Sequence, residues 1–542
     1  MKRLLFAVGI SIVAGFMFGQ SAQAVSSGTK EFVSADNTFY AYVKANETVD
    51  VAFLKADQKE PFNTTQEDVT ITLDGPGIAQ QKCVAPKNVA VGQGCQFAAV
   101  VAPQTGIWRI QFSVPAPARA YPEVAPSIRW GGNLFSWQVT VKNGATEQKG
   151  RVWTSQYALR QPDNTLFNTD FEHYYVSEDG YIYRMLTRGY NGQISTLSAD
   201  GIGVREGKKC EPIYRSTDTS DTKFSPAFGD CGSAYKLFFE QPAGELPAAA
   251  KNWEGKDEWL RPTVKRPTVS ELHFSSDGSI DQQSGKISFY LRHFIGQYKV
   301  KIDVDNDGGF DGQNDVTLQQ QMKQLSNGLQ SVTFDGVDKT GQIIPPSQPI
   351  GVKIEITRVA EIHFVSADVE GRTGGIELTR LNGENAPTDR MCWNDTELAT
   401  IAEPLMTKQT DGRDCPESKS GVHGWAYSGA SWGNARYVDD WAFAAARLDG
   451  IAVIAYPQAT NEVKDDNERN NMVAVIAVVA GAGLLGLVGT GIYIVRRRKA
   501  KTIVLPPLPP EHYYGPQQQP SQSQPPSSYP SSSSREDPNK RM

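Results

Sequence analysis

Apolar and polar residues alternate in short, recurrent segments of this chain. Phe39-Tyr40-Ala41-Tyr42-Val43, Val69-Thr70-Ile71-Thr72-Leu73 and Ile107-Trp108-Arg109-Ile110-Gln111-Phe112 are representative. A period of two belongs to a strand with one face buried, and clusters of Gly, Pro, Asn and Asp separate the segments as turns do. No run of strands alternates with long amphipathic helices, so a doubly wound α/β enzyme is not expected. The pattern predicts an all-β body of tandem β-sandwiches. Pro115, Pro117, Pro122 and Pro126 suggest one linker, and Pro242, Pro247, Pro262 and Pro267 a second. The expected units are a β-sandwich at 25–116, a β domain at 127–245, a β-sandwich at 268–358 and a β domain at 359–460. The third and fourth begin alike: Val269-Ser270-Glu271-Leu272-His273-Phe274 is echoed by Val359-Ala360-Glu361-Ile362-His363-Phe364.

Two stretches depart from alternation. Residues 1–24 carry Lys2 and Arg3, an apolar run and Ala22-Gln23-Ala24, the layout of a secretory signal peptide. Residues 472–495 are uncharged, and as a helix would reach about 36 Å, enough to cross a bilayer. Arg496, Arg497, Arg498, Lys499 and Lys501 follow at once. Basic flanks stay inside, so the expectation is a single-pass protein of the cell membrane, N-terminus outside and C-terminus cytoplasmic. Gly481-Ala482-Gly483-Leu484-Leu485-Gly486 is a formal GxGxxG, but no strand precedes it and nucleotide binding is not expected. The tail, 496–542, is rich in Pro, Ser and Gln and reads as disordered; Pro506 and Pro509 form a PxxP that could dock a cytoplasmic partner.

Composition sharpens this layout. The 542 residues are 39% apolar and 21% charged, ordinary for folded domains, with a net charge of −6. The signal holds +2 and the tail +5, which leaves −13 for the exterior and span. An acidic exterior argues against nucleic-acid or polyanion binding. All six cysteines lie outside the membrane, where disulfides persist. Pairing by neighbourhood gives Cys83–Cys95, Cys210–Cys231 and Cys392–Cys415.

One local motif carries specific chemistry. Asp303-Val304-Asp305-Asn306-Asp307-Gly308 is followed by Gly309, Asp311 and Asp315. Alternate carboxylates on a tight loop suit Ca²⁺, which takes about six to eight oxygens. The segment resembles the start of a calcium loop of EF-hand or dockerin type, with Asn314 where that pattern has a bidentate Glu. Its flanks read as strands. The expectation is a hairpin clamped by structural Ca²⁺ at Asp303, Asp305, Asp307, Gly309, Asp311 and Asp315; a solvated acidic turn is the alternative. Downstream, Asn327-Gly328-Leu329 to Gly341 and Ile350 to Ile356 contain Phe334-Asp335-Gly336-Val337-Asp338. Residues 298–357 resemble the Ig-like module of flagellar hook-cap type, with Phe for the usual Trp. The resemblance implies an Ig-like sandwich in 268–358 and no activity, and suits bacterial single-pass surface proteins with tandem Ig-like domains.

Other patterns are weaker. Gly429-Ala430-Ser431-Trp432-Gly433 matches GxSxG, with His423 and Asp439 nearby, but the strand–elbow–helix context is missing. His273 and His363 read as structural strand residues. Trp130, Trp137, Trp153, Tyr174, Tyr175, Tyr181, Tyr183 and Tyr190 read as core. No catalytic or cofactor-binding residues are expected. The leading function is a non-enzymatic, membrane-anchored cell-surface binding or adhesion protein for a glycan or protein ligand. The alternatives are a carbohydrate-active surface hydrolase without a linear motif and a structural envelope component.

Overall fold

The computed structural model describes residues 25–454, except 27–30, 35–37, 60–67, 87, 113–132, 161–168, 191–193, 219, 228–229, 368–370, 397–404, 427–432 and 434–435. The expected signal peptide, membrane span and tail lie outside the described residues, as do Trp130 and Ser431. Among the described residues no helix is long and apolar enough to cross a membrane. The elements are strands.

The alternating segments named above are strands Thr38–Val43, Val69–Asp74 and Gly106–Phe112. They join a nine-stranded sheet in the order Arg372–Arg380, Ile182–Tyr190, Thr169–Val176, Lys236–Phe238, Val152–Thr154, Thr38–Val43, Gly106–Phe112, Val69–Asp74, Gln81–Ala85. One end of this sheet faces a second sheet made of Val25–Ser26, Asn133–Asn143, Thr48–Lys59 and Gly94–Val101. Their shared core centres on Phe39, Phe53, Phe112 and Trp137, with Phe39 and Trp137 ring centroids 4.3 Å apart. Cys83–Cys95 joins the two sheets. The other end of the long sheet packs on Ile194–Asp200, Ile350–Ala367 and Arg436–Ile454 through Tyr183, Leu197, Ile362, Phe364, Leu378 and Val438.

The sheets therefore run across the expected boundaries. Asn133–Asn143 completes the first sandwich, and Ile182–Tyr190 pairs with Arg372–Arg380. Chain proximity is a poor guide here because a strand needs only a free edge and a buried face, wherever in the sequence they arise. The second proline-rich zone also differs from the expected linker. Leu246 and Leu260 are buried, and Trp253 and Trp259 pack with them over the outer face of the long sheet, against Tyr42, Trp153 and Phe238. Proline lacks an N–H to satisfy, so this covering segment tolerates it.

Residues 268–356 form a smaller β unit. Phe289 and Tyr298 lie on one strand, Gly285–Asp303, yet their rings are 5.6 Å apart. Nine residues of straight strand would separate them by about 30 Å. The strand folds back at two register shifts, where His293 has φ 57° and Gly296 φ 119°. The six-residue echo has a structural counterpart. Thr268–Ser276 bulges between Ser270 and His273, and Ile350–Ala367 between Val359 and Ile362. Glu271 and Ala360 take positive φ there, which bends each strand.

Candidate functional site

The acidic loop closes the hairpin between Gly285–Asp303 and Val316–Phe334, with Ile302 opposite Val316. The flanking strands read from the sequence are thus present. Oxygens of Asp303, Asp305 and Asp315 lie within 4.8 Å of one another. Asp303 and Asp315 are buried and Asp305 is exposed. Backbone amides hold the buried pair. Gly308 N–H donates to Asp303 Oδ2 at 2.9 Å, Asp307 N–H to Asp303 Oδ1 at 3.2 Å, Val304 N–H to Asp315 Oδ1 at 3.1 Å and Gly312 N–H to Asp315 Oδ2 at 2.6 Å. Burial pushes the Asp303 carboxyl up; the Gly308 amide opposes this and Asp305 adds to it.

The other three expected ligands are not gathered there. Asp311 points outward to Lys301, whose Nζ donates to Oδ1 at 2.7 Å and holds that carboxyl below its usual range. Lys301 is the physical reason: it lies between Asp311 and Glu355, 3.5 Å from the latter. Asp307 accepts the Gly309 amide at 2.6 Å, so both residues serve the turn. Three carboxylates can supply about half of a Ca²⁺ coordination shell or more, with water and backbone oxygens completing it.

Two further clusters are built around histidine. Asp439 and Asp440 are consecutive on Arg436–Ile454 and so point to opposite faces. His363 is fully buried, with Nδ1 3.0 Å from Asp439 Oδ1 and Nε2 3.4 Å from Glu361 Oε1. Burial alone lowers an imidazole pKa, but Asp439 and Glu361 reverse the effect and raise His363 to about 10. Gly203 makes room for the pair: at φ 71°, a Cβ there would lie 2.4 Å from Asp439 Oδ2 and 2.6 Å from His363 Nδ1. Its neighbour Val204 donates its N–H to Asp439 Oδ2 at 3.2 Å. Arg358 sits over the rings of Tyr214 and Phe443 beside this cluster, at 4.7 and 4.5 Å.

On the other face His423 Nδ1 meets Asp395 Oδ2 at 2.6 Å and Asp440 Oδ1 at 3.6 Å. Arg372 pairs with Asp440, donates from Nε to the His423 carbonyl at 2.9 Å, and stacks 3.9 Å over Trp425. Burial lowers and the two carboxylates raise His423, with a net rise. A cavity of about 10 Å³ beside it is lined by Phe364, Met391, Trp393 and Ser418, room for about one water. His423 and Asp439, the nearby residues of the GxSxG reading, have different partners and do not form one site. His273 and His363 are both on strands, exposed and fully buried respectively. Trp137, Trp153, Tyr174, Tyr175, Tyr181, Tyr183 and Tyr190 are buried.

Sequence reasoning did not find either ion cluster. Their partners are 76 and 28 residues apart. A usable signal was present: Asp439-Asp440 interrupts Tyr437-Val438 and Trp441-Ala442, and charges inside a buried strand need buried partners. All six cysteines pair as neighbourhood indicated, in Cys83–Cys95, Cys210–Cys231 and Cys392–Cys415. The chain matches no protein-family model and no curated protein sequence.

Proposed function

We propose that this chain is a non-enzymatic cell-surface binding or adhesion protein, anchored by one membrane helix at 472–495 and displaying interlocked β-sandwich cores with an Ig-like unit at 268–358. The observation that carries the reading is the disulfide set. Three bonds within an all-β body, with no free cysteine, suit an oxidising exterior. The apolar run with its basic flank supplies the anchor. The ligand is an extracellular glycan or protein, and the acidic exterior disfavours polyanions. Ca²⁺ at Asp303, Asp305 and Asp315 is part of the proposal, as a rigidifying ion on the third unit. Its physical motive is like-charge crowding among three carboxylates, two of them buried.

The test uses the oxidised full-length chain in mild detergent, applied to glycan and matrix-protein arrays with Ca²⁺ and with chelator. A membrane-impermeant label on intact cells reports topology in parallel. The expected result is selective binding to one ligand class without turnover, and labelling of the portion before residue 472. Uniformly blank arrays, or turnover of a bound glycan, would overturn the binding role. Labelling confined to the tail would overturn the topology.

A further inference from the structure

The strand Val316–Phe334 is nineteen residues long, and among the described residues it pairs on one side only, with Gly285–Asp303. An open edge offers a row of N–H and C=O groups to any further strand, and proteins ordinarily guard such edges with charge, proline or a covering loop. This strand has one charged residue, Lys323, and no proline. The guard is local. Near the middle, the Leu325 amide hydrogen-bonds the Glu178 carboxylate, and Gly232 comes so close that a Cβ on it would lie 2.2 Å from the Lys323 carbonyl oxygen. Beyond this point, Ser326 to Phe334 carries no charge, and Leu329 in its midst is 59% exposed. Leu329, Ser331 and Thr333 form its exposed face, while Val332 and Phe334 are buried on the other.

We infer that this edge pairs with the same edge of a second copy of the chain, antiparallel about a two-fold axis at Leu329. A strand is its own complement under a two-fold axis, so one segment supplies both sides of the seam. A charged peptide would find no counter-charge on Ser326 to Phe334, whereas a second copy meets an uncharged strip free of like-charge repulsion. With the axis at Leu329, the two exposed leucines cover each other and Gly328 faces Gln330 of the partner, leaving no bulky polar side chain opposed to Leu329. The sheet then continues across the dimer, and each open edge becomes an interior position.

The experiment measures the oligomeric state of the oxidised full-length chain in mild detergent, by sedimentation velocity across the micromolar range. The expected result is a monomer–dimer equilibrium that Leu329→Lys weakens at least tenfold. Ser331→Lys, a second exposed position that faces residue 327 of the partner, should weaken it as well, so the test survives if one variant fails to fold. Leu329→Cys should give a disulfide-linked dimer, because facing Cα atoms of antiparallel strands are about 4.5–5.5 Å apart, inside the ~4.4–6.8 Å span of a disulfide. Gln319→Cys, on the other arm of the strand, should not. A wild-type chain that stays monomeric, a dimer indifferent to both lysines, or equal cross-linking at 319 and 329 would each overturn the inference. Protection from exchange in the monomer of those amides of residues 326–334 that point away from Gly285–Asp303 would do so too, since it would show an edge already covered within one chain.

Discussion

Asp439→Asn removes one charge from the His363 pair and almost nothing else: the side chain keeps its size and one oxygen. In the native protein His363 is fully buried, 3.0 Å from Asp439, with its pKa raised to about 10. Against the ~6.5 of an unfolded chain, at about 1.36 kcal/mol per unit, the shift corresponds to roughly 5 kcal/mol. Breaking one side of a buried pair costs about 3–5 kcal/mol in proteins generally, the same range. Because the folded pKa is the higher one, this contribution is complete below about pH 6.5 and is lost as pH rises towards about 10. The substitution should therefore lower the unfolding free energy by about 3–5 kcal/mol at slightly acid pH, and its gap to wild type should narrow by at most about 3 kcal/mol between pH 6.5 and 9. Glu361 on the other imidazole nitrogen remains, so part of the slope survives. Urea denaturation of the oxidised chain, followed by tryptophan fluorescence, measures both quantities; Trp441, 6.4 Å from the His363 ring, reports from beside the pair. A loss under about 1 kcal/mol, or a gap that does not change with pH, would refute the view that this ion pair holds the second core together.

Three further outcomes are expected. Gly203→Ala should lower the melting temperature well beyond Gly255→Ala: both glycines have positive φ, 71° and 77°, but only at 203 would a Cβ strike Asp439 and His363, while 255 has open space. Ca²⁺ should raise the melting temperature, by about 2.7 kcal/mol of stability at a hundredfold excess over its Kd, and Asp305→Asn, at an exposed position, should abolish the rise without lowering the baseline; identical curves in Ca²⁺ and chelator would remove the metal from the proposal. Replacing Cys210 and Cys231 together by Ala opens a loop with a sequence separation of 21 and should cost about 3 kcal/mol by the chain-entropy relation, read as a lower urea midpoint with a slope that is if anything steeper, because the freed unfolded chain is less compact.

The all-β character was legible because half-buried strands write their burial into single residues: Val69, Ile71 and Leu73 are buried while Thr70 and Thr72 between them are only partly so. The disulfides were legible because each bond closes a short loop. In the acidic loop the sequence located the carboxylates but could not say which would converge. That depends on Lys301 drawing Asp311 outward and on the Gly309 amide engaging Asp307, both consequences of the turn's geometry. Sheet membership was the least legible. Nothing local to Ile182–Tyr190 announces Arg372–Arg380 as its neighbour, because backbone hydrogen bonding is indifferent to sequence and only the two buried faces select the pair. The proline-rich segment at 242–262 misled for a related reason: proline marks where a ladder cannot form, which is true of a linker and equally of a packed cover.

The long sheet has a consequence for the order in which this protein can be made. Its strands are drawn from residue 38 to residue 380, and the core beside it closes only with Arg436–Ile454. A chain emerging from its N-terminus can assemble the Phe39–Trp137 core by itself. The strands Thr169–Val176, Ile182–Tyr190 and Ile194–Asp200 must then wait, with Tyr175, Tyr183 and Leu197 uncovered, for Ile350–Ala367 and Arg372–Arg380 some hundred and fifty residues on, and for Arg436–Ile454 to complete the core. Late closure of this kind makes folding slow and leaves apolar strands open meanwhile. Truncation upstream of 436 should accordingly trap the second core half-built while sparing the first, and a cell producing this protein has reason to keep the middle of the chain attended until its end arrives.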